Sequence, residues 1–267
     1  MLMKIFVSGA SGNVGKTLVR TMQHIEWAEL VGGWCKETGE DLGEIAGIGP
    51  IGIIATNDLK AGIETTKPDI VIDFSATPVL PGNLKLYADK GLNAVIGTTG
   101  LTDDDLVPFI KEVKEKGLRW SVIPNYGLGI SLVSDFIKKV RTYYPYVSII
   151  DRHFPGMANA PSGTAASLAK ASSSSGEQGP VESKEVYPGV LGATISGVPV
   201  LSQRLPWPGP YSEHEVLLGR NDEIIRISVQ DHTSDIYMDG VFLTVEKLPK
   251  MAPGTFIREL SEIIEAS

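Results

Sequence analysis

Short apolar runs and longer amphipathic segments alternate along the first half of the chain. The runs are rich in β-branched residues, and they predict six strands: Lys4–Ser8, Glu29–Gly33, Ile51–Ala55, Asp69–Ser75, Asn93–Thr98 and Arg119–Pro124. Between them, apolar residues three and four positions apart predict helices such as Asn13–His24 and Thr102–Lys116, the second with Thr102 as its N-cap. Alternating strands and helices are typical of βαβ units, so we predict an α/β domain with a Rossmann-type, doubly wound parallel sheet.

The second half of the chain has a different order of elements. A helix is predicted over Ile130–Tyr143, a strand over Val147–Phe154 and a helix from about Ser162, and three strands then follow, Ala193–Gln203, His214–Leu218 and Glu223–Val229. Consecutive strands predict an α+β domain with a mixed sheet. Two last helical patterns, Ile236–Lys247 and Thr255–Ile264, are expected to return to the first sheet. We therefore predict a dinucleotide-binding domain, residues 1–125 with about 235–267, and a second domain, residues 126–234.

Composition excludes several classes of protein. The 267 residues include 24 Lys and Arg against 32 Asp and Glu, and the net charge of −8 has the wrong sign for binding nucleic acid or an anionic membrane. The single cysteine, Cys35, excludes an intrachain disulfide, and the four histidines are not at metal-ligand spacing. No run approaches the roughly 18 apolar residues of a membrane span. We expect a cytoplasmic globular protein without a metal.

The first predicted strand runs into a glycine-rich turn that precedes a helix. Glycines there let the backbone approach a pyrophosphate, whose charge the N–H groups at the helix start can bind. The spacing GxxGxxG departs from the usual GxGxxG, and a tight turn without a ligand is the alternative. The position of the turn favours dinucleotide binding. Its residues are Gly9, Ala10, Ser11, Gly12, Asn13, Val14 and Gly15.

The end of the second predicted strand bears on the choice of dinucleotide. An acidic residue at this position holds the ribose 2′-OH of NADH, whereas a cation accepts the 2′-phosphate of NADPH. The chain has Lys36 followed by Glu37. Both cofactors are therefore expected to fit, with a mild preference for NADPH from Lys36, unless the two charges only face solvent.

Small and hydroxyl residues end three further strands. Ligands of parallel sheets bind at the carboxyl ends of the strands, so these residues are candidates for lining a nicotinamide, with Phe74 or Tyr126 as an apolar wall. Each motif alone could be a turn, but the three together favour a cofactor site. They are Asp73-Phe74-Ser75, Gly97-Thr98-Thr99-Gly100 and Pro124-Asn125-Tyr126-Gly127.

The second domain carries a separate group of polar residues. The period of two along a strand places Asp151 and His153 on one face. The segment Ala160–Ala165, with Ser162, Gly163 and Thr164, leads into a helix whose first N–H groups suit a substrate carboxylate. A well-capped structural helix is the alternative. We expect His24 and His232 to be structural, while His214 could approach a substrate.

Taken in order, these motifs resemble the 4-hydroxy-tetrahydrodipicolinate reductase (dihydrodipicolinate reductase) family over nearly the whole chain. The resemblance implies reduction of a cyclic unsaturated dicarboxylate imine by NADH or NADPH, on the route to diaminopimelate and lysine. It also implies a homotetramer built through the second domain. By the same resemblance the dinucleotide binds Gly9–Val14, Gly97–Thr99 and Ile123–Tyr126, with Ile123, Pro124, Asn125 and Tyr126 in the last segment. Ser162, Gly163 and Thr164 would then hold a substrate carboxylate, and His153 would handle the proton.

The chain departs from the family in the segment before Ala160. The family reads Glu-x-His-His-x-x-Lys-x-Asp there, whereas this chain keeps His153 but has Phe154, Met157 and Asn159 in place of the second histidine, the lysine and the aspartate. Phenylalanine and methionine carry no titratable proton, so a proton must come from His153 or water. Three hypotheses stay open: the family reaction, the same chemistry on a less acidic imine or enamine, and a non-catalytic nucleotide-binding subunit with a structural or sensory role.

Overall fold

The computed structural model describes residues 2–157, 159–173, 183–206 and 209–266. The chain divides into two compact units, Met1–Gly127 with Ser234–Ser267, and Leu128–Thr233. Within the described ranges, every helix is too short or too polar to span a membrane.

The first unit contains a six-stranded, fully parallel sheet. Its strands are β1 (Met3–Ser8), β2 (Ala28–Trp34), β3 (Ile70–Asp73), β4 (Asn93–Ile96), β5 (Trp120–Val122) and, near the end of the chain, β11 (Phe256–Ile257). Their order is β11-β5-β4-β3-β1-β2, so the direction of winding reverses between β1 and β3. Open parallel sheets bind ligands at the carboxyl ends of the strands at such a reversal. The predicted doubly wound α/β class is confirmed.

Seven α-helices belong to the described part of this unit. They are α1 (Asn13–Met22), α2 (Leu42–Ala46), α3 (Leu59–Thr66), α4 (Leu80–Asp89), α5 (Asp103–Lys116), α8 (Met238–Lys247) and α9 (Leu260–Glu265). Helix α5 begins as its sequence predicts, because the Thr102 hydroxyl accepts the Asp105 N–H while the Asp105 carboxylate accepts the Thr102 N–H. Buried side chains of β1, β3, β4 and β5 form one core with α4 and α5.

One segment of this unit that the sequence predicts as a strand, Ile51–Ala55, is not one. Ile51–Ala55 is apolar, yet it makes only an isolated bridge at Ile54. The Asp41 carboxylate accepts the N–H groups of Ile51 and Gly52 at 3.0 and 2.7 Å, and Gly52 has a φ of +80°. A side chain thus takes the backbone donors that a strand would give to the sheet, and the left-handed glycine bends the segment.

The sixth strand lies instead in a segment that the sequence predicts as helical. Phe256–Ile257 pairs with β5, and the helix of that segment begins only at Leu260. Gly254, with a φ of +84°, turns the chain so that its N–H reaches the Leu118 carbonyl at 2.9 Å. A two-residue strand is too short to show the alternation by which strands are recognised in a sequence.

In its described residues, the second unit contains a five-stranded mixed sheet and two helices. The strands are β6 (Tyr146–His153), β7 (Ala193–Ile195), β8 (Val198–Arg204), β9 (Ser212–Arg220) and β10 (Glu223–Asp231), in the order β10-β9-β6-β8-β7, and the helices are α6 (Leu128–Val140) and α7 (Gly163–Ser173). Strands β6 and β8 are parallel and the other neighbours antiparallel. The predicted strand Ala193–Gln203 is a hairpin, because Ser196 and Gly197 both have positive φ and form a two-residue turn.

The buried face of this sheet is apolar at one end and polar at the other. Val147 and Ile149 of β6 lie opposite Leu218 and Val216 of β9, and they pack with α6 and α7. From Asp151 onward, the residues of β6 on this face are polar. The residues paired with them on β8 and β9 are polar as well. The polar residues are Asp151 and His153 on β6, Ser202 and Arg204 on β8, and Ser212 and His214 on β9.

Candidate functional site

The glycine-rich turn after β1 is closed by its own backbone. Gly9 has a φ of +82°, and the Gly12 N–H donates to the Gly9 carbonyl at 3.0 Å. A methyl group on Gly9 would collide with the Phe74 carbonyl, and one on Gly15 with the Gly9 carbonyl. Only glycine fits these two positions without a shift of the backbone.

Helix α1 starts at this turn without a side-chain cap. Its N-cap is Gly12, which has no side-chain oxygen to cap the helix, so N–H groups of the first turn are left for a ligand. Free N–H groups and the positive end of the helix dipole suit a pyrophosphate. The turn therefore offers the backbone groups that a dinucleotide's pyrophosphate would need.

A cleft of about 500 Å³ opens beside this turn, at the reversal between β1 and β3. It brings together residues from the turn and from the ends of β3 and β4 that the sequence analysis assigned to the cofactor. Its described lining is Gly12, Asn13, Val14, Phe74, Ser75, Ala76, Thr77, Pro78, Gly97, Thr98 and Thr99. Of the other predicted residues, Gly9 and Ser11 are half-buried in the turn and Ala10 is buried beneath it.

Two of the predicted cofactor residues after β5, Ile123 and Tyr126, are buried in the protein. Tyr126 is fully buried, and its ring packs against Phe74 with centroids 6.0 Å apart. Its hydroxyl donates to the Ile96 carbonyl at 3.1 Å, and burial raises the pKa of Tyr126 far above its usual value. Ile123 is buried, whereas Pro124 is exposed and Asn125 half-buried. Of the two residues suggested as an apolar wall, Phe74 lines the cleft, whereas Tyr126 is fully buried against Phe74.

Asp73, at the end of β3, organises the floor of the cleft. Its Oδ1 accepts the Ser75 N–H, the Ser75 hydroxyl and the Thr98 hydroxyl at 2.9, 2.7 and 2.8 Å. Its Oδ2 accepts from Asn83 at 3.0 Å and from the Tyr87 hydroxyl at 2.6 Å. The sequence analysis names Asp73 only as part of the Asp73-Phe74-Ser75 motif and does not predict its hydrogen bonds. An acidic residue at the end of an otherwise apolar strand is the feature that could have predicted them, because a buried carboxylate needs hydrogen-bond donors.

The two residues that bear on cofactor choice differ in their surroundings. Lys36 is exposed, while Glu37 is half-buried and turned toward the glycine-rich turn. Hydrogen bonding from the Ser11 hydroxyl and from the backbone lowers the pKa of Glu37. The acid therefore lies against the nucleotide turn as a carboxylate, and the cation faces solvent.

In the second unit, Asp151 is the centre of the polar end of the sheet. Its side chain is fully buried, and it accepts the Ser162 N–H at 3.1 Å and the hydroxyls of Ser162 and Ser202 at 2.8 and 3.0 Å. Burial opposes ionisation, but the nearby rings of His153 and His214 and the hydrogen bond from Ser162 outweigh it and hold the pKa of Asp151 well below its usual range. Asp151 is therefore a carboxylate.

Two histidines lie against this carboxylate. His153 Nδ1 is 3.0 Å and His214 Nε2 is 3.5 Å from Asp151 Oδ1, and the two rings meet edge to face with centroids 5.3 Å apart. One ligand atom from each of the three residues lies within 4.8 Å of the others, which is a spacing that a divalent metal could use. Asp151 and His214 are already hydrogen-bonded to Ser162, so the cluster fits a hydrogen-bond network better than a set of open metal ligands.

The start of α7, which the sequence analysis assigns to a substrate carboxylate, has some of its polar groups hydrogen-bonded within the protein. Ser162 is the N-cap of α7, because its hydroxyl accepts the Ala165 N–H at 3.1 Å, and the same hydroxyl donates to Asp151. Ser162 is buried, whereas Gly163 is exposed and Thr164 half-buried. The Ser162 hydroxyl is thus used inside the protein, and the backbone at Gly163 is the accessible part.

The substituted residues lie on the loop between β6 and α7. Phe154 is half-buried and stacks on Tyr211, Met157 is half-buried, and Asn159 is exposed. Arg204, which sequence reasoning missed, holds this loop by donating to the carbonyls of Met157 at 3.2 Å and Asn159 at 2.5 Å. No signal in the sequence marked Arg204 or Ser202, since their importance depends on the pairing of β8 with β6.

A nucleotide turn at the reversal of a doubly wound parallel sheet, together with a buried histidine–carboxylate cluster in a second unit, defines an NAD(P)H-dependent oxidoreductase. Comparison with known proteins gives the family. The family models for the N-terminus and the C-terminus of dihydrodipicolinate reductase match residues 3–126 and 129–263, so the chain belongs to the dihydrodipicolinate reductase family.

Individual relatives agree with this assignment. The chain is 29% identical to the 4-hydroxy-tetrahydrodipicolinate reductase of Moorella thermoacetica over 93% of each chain. It is 31% identical to the enzyme of the same name from Listeria innocua, over 98% of this chain and 100% of the relative. The solved dipicolinate-bound dihydrodipicolinate reductase from Paenisporosarcina sp. TG-14 superposes with a TM-score of 0.81 at 26% identity, covering 98% of this chain and 100% of that one. The family, fold and enzyme class predicted from the sequence are confirmed.

Proposed function

We propose that the chain reduces a cyclic, unsaturated imine acid with NADPH or NADH, and that the family substrate, the dihydrodipicolinate precursor, is the first candidate. The observation that supports this most directly is the retained His153, in contact with the buried Asp151 beside the start of α7. A reductase of this class needs a group that can give or take a proton, and His153 is the titratable residue best placed for it.

On the cofactor side, the residues fit a nicotinamide dinucleotide. Bound NADPH or NADH supplies the hydride for the reduction. We propose that the uncapped start of α1 binds the pyrophosphate and that Phe74, Gly97, Thr98 and Thr99 contact the nicotinamide half. The exposed Lys36 supports the mild preference for NADPH, while Glu37 beside Ser11 supports use of NADH as well.

On the substrate side, we propose that the backbone at Gly163 and Thr164 binds a carboxylate at the N-terminus of α7. Ser162 acts indirectly, since its hydroxyl caps the helix and binds Asp151. The reaction adds a hydride to one carbon of the conjugated ring and one proton at the other end of the reduced system, so that charge and atoms balance. His153 gives this proton and is recharged from water.

A second substrate class has a specific observation in its favour. Phe154 stacks on Tyr211, and Met157 stands where the motif resemblance implies a lysine, so the loop presents apolar groups where a cation is expected. A charge-assisted hydrogen bond to a carboxylate contributes about 1.5–3 kcal/mol. A less acidic imine or enamine is therefore the alternative substrate. The third hypothesis is a nucleotide-binding subunit that catalyses no reaction.

We also propose that the chain forms a homotetramer through the second unit and works in the cytoplasm. The outer face of the five-stranded sheet carries Arg152, paired with Glu213 at 2.7 Å and Glu215 at 2.9 Å, and the exposed Ile224. A mixed charged and apolar face of this kind is suited to a subunit contact. Light scattering after size exclusion gives the mass of the assembly, and a monomer at micromolar concentration would contradict the tetramer.

The function is tested by following NADPH and NADH oxidation by the purified protein with two substrates. One is the enzymatically generated dihydrodipicolinate precursor, and the other is a cyclic imine with a single carboxylate. Turnover of the dicarboxylate at rates of about 1 per second or more supports the family reaction. Turnover of the monocarboxylate alone favours the second class, and tight nucleotide binding without turnover of either would leave the non-catalytic reading.

A further inference from the structure

The contacts of the Ser162 hydroxyl determine where the protons lie in the buried cluster. A hydroxyl has one proton to donate and two lone pairs that accept. Ser162 Oγ donates to Asp151 Oδ1 at 2.8 Å and accepts the Ala165 N–H at 3.1 Å. It is also 3.1 Å from His214 Nε2. Since its single proton is given to the Asp151 carboxylate, Ser162 must accept from His214, and His214 Nε2 must carry a proton.

The other nitrogen of His214 gives an independent indication. His214 Nδ1 is buried and has no hydrogen-bond partner among the described residues. A cationic histidine, or the neutral form protonated on Nδ1, would bury an unpaired N–H donor at this position, which is costly. The neutral form protonated on Nε2 avoids that donor. Both nitrogens therefore point to the same state of His214.

His153 is in a different position relative to the same carboxylate. Its Nδ1 lies 3.0 Å from Asp151 Oδ1, which is close enough for a charge contact when His153 is protonated, although the ring is turned away from an ideal hydrogen bond. Nε2, on the opposite side of the ring, has no hydrogen-bond partner among the described residues. The two rings are 5.3 Å apart, so a second cation beside the first would be repelled.

We propose that His214 is a neutral positioning residue, fixed as the Nε2–H form by Ser162, and that His153 is the one histidine of the pair that can face Asp151 as a cation. Protonated His153 then supplies both the proton for the reduction and a positive charge in a site that lacks the family's lysine. This inference rests on the proposed function for the role of His153, but the protonation states it assigns do not depend on any substrate.

Other charges face His153 from the neighbouring strands. Arg204 of β8 lies directly across from it, and the Arg204 guanidinium is 4.0 Å from Asp151 Oδ2. Ser212 of β9 lies across on the other side and donates to Asp231 of β10 at 2.7 Å. Asp151 is the anion that contacts His153, whereas Asp231 is separated from it by Ser212.

The direct test is a long-range proton–nitrogen NMR spectrum of the protein labelled with ¹⁵N-histidine, which has only four histidines. Variants at each position assign the signals. We expect His214 to be neutral and protonated on Nε2 at about pH 7. A cationic or Nδ1-protonated His214 would overturn the proposal.

Kinetics separate positioning from structure. Gln places its amide nitrogen near the position of Nε2, so His214→Gln keeps a donor to Ser162 without a titratable group, whereas His214→Phe removes the donor. With a substrate that turns over, we expect kcat of His214→Gln within about threefold of the unaltered protein and an unchanged pH profile. For His214→Phe we expect kcat about tenfold lower at similar KM.

The control is Ser212→Ala, which removes a buried hydrogen bond from the same strand without touching Asp151. It should lower the melting temperature but leave His214 neutral and protonated on Nε2. If the pH dependence of kcat lost one of its two limbs in His214→Gln, His214 itself would exchange the proton, contrary to the proposal. If no substrate turns over, the proposed function fails while the NMR result still decides the protonation states.

Discussion

The ring of Phe154 is stacked on the ring of Tyr211, with centroids 5.1 Å apart and 23° between the planes. The stack fixes an apolar side chain immediately after His153, at the position where the motif resemblance leads us to expect a second histidine. Met157, three residues on, is held by its carbonyl to Arg204 at 3.2 Å. The loop between β6 and α7 is thus held by the aromatic pair and by Arg204. With Phe154 and Met157 at these positions, the loop has no cationic side chain of its own.

Restoring that cation is the first prediction. Met157→Lys should raise kcat/KM for a dicarboxylate imine by about ten- to a hundredfold, because a charge-assisted hydrogen bond contributes about 1.5–3 kcal/mol. Met157→Gln, of similar length but neutral, should raise it by less than about threefold. Initial rates of NADPH oxidation at several substrate concentrations give both values. Equal effects of Lys and Gln would show that charge at this position is not what limits the dicarboxylate.

The nucleotide turn supplies the second prediction. Gly15→Ala should weaken NADH binding by about tenfold or more and destabilise the first unit by about 1–3 kcal/mol, since the added methyl meets the Gly9 carbonyl. Gly82→Ala is the matched control, because Gly82 is exposed on α4 with open space around it and should be stabilised by about 0.5–1 kcal/mol. Fluorescence titration with NADH and thermal unfolding check both. Tight NADH binding by Gly15→Ala would remove the turn from the cofactor site.

Local patterns predicted the parallel sheet well, for a physical reason. Buried parallel strands are continuous apolar runs and their helices are amphipathic, so both leave a signal within the segment itself. Ile51–Ala55 has the same composition but is not a strand, because Asp41, ten residues earlier, takes its backbone donors. That competition is invisible in the segment's own pattern.

The candidate site was predictable only in part. Period-two alternation puts Asp151 and His153 on one face of β6, and the resemblance of the motifs points to His153. The meeting of Asp151 with His214 and Ser202 depends on β6 lying between β9 and β8 in register. Strand order is a property of the whole sheet, and residues distant in the chain give no sign of it.

The third prediction concerns Asp73. Asp73→Asn should destabilise the first unit by about 2–3 kcal/mol, because the new amide group faces donors from Asn83 or Tyr87 instead of accepting from them. NADH binding should weaken with it, since Ser75 and Thr98 lose their common acceptor at the cleft. Asp69→Asn, at an exposed residue, is the control and should change neither property. Urea unfolding and NADH titration are the measurements, and an unchanged affinity would mean that the network serves stability alone.

The fourth prediction separates the two charges beside the cofactor. Lys36→Ala should lower kcat/KM for NADPH by about three- to tenfold and leave the value for NADH nearly unchanged, because only NADPH carries a 2′-phosphate. Glu37→Ala should have the opposite bias, lowering the value for NADH and raising that for NADPH. Lys60→Ala, at an exposed residue of α3, controls for a general loss of positive charge. Parallel changes for both cofactors in Lys36→Ala would place Lys36 outside the ribose site.

The last prediction follows from the ionised state of Asp151. Its pKa in the folded protein is held below that of an unfolded aspartate, about 3.9, so its ionisation stabilises the fold above that pH. As pH falls through 3.9 toward the lower folded value, the unfolded chain takes up the proton first and this stabilisation is lost. Asp151→Asn should therefore lower the free energy of unfolding by about 3 kcal/mol near pH 7, with a smaller difference below about pH 4.

Urea unfolding followed by circular dichroism across this pH range measures the difference. Asp222→Asn, at an exposed aspartate, should show no such pH-dependent gap. A gap between Asp151→Asn and the unaltered protein that stayed constant or widened toward low pH would mean that the folded protein keeps a proton on Asp151. The two histidines and Ser162 would then be bound to a neutral carboxyl group, and the proton assignments on His153 and His214 would have to change with it.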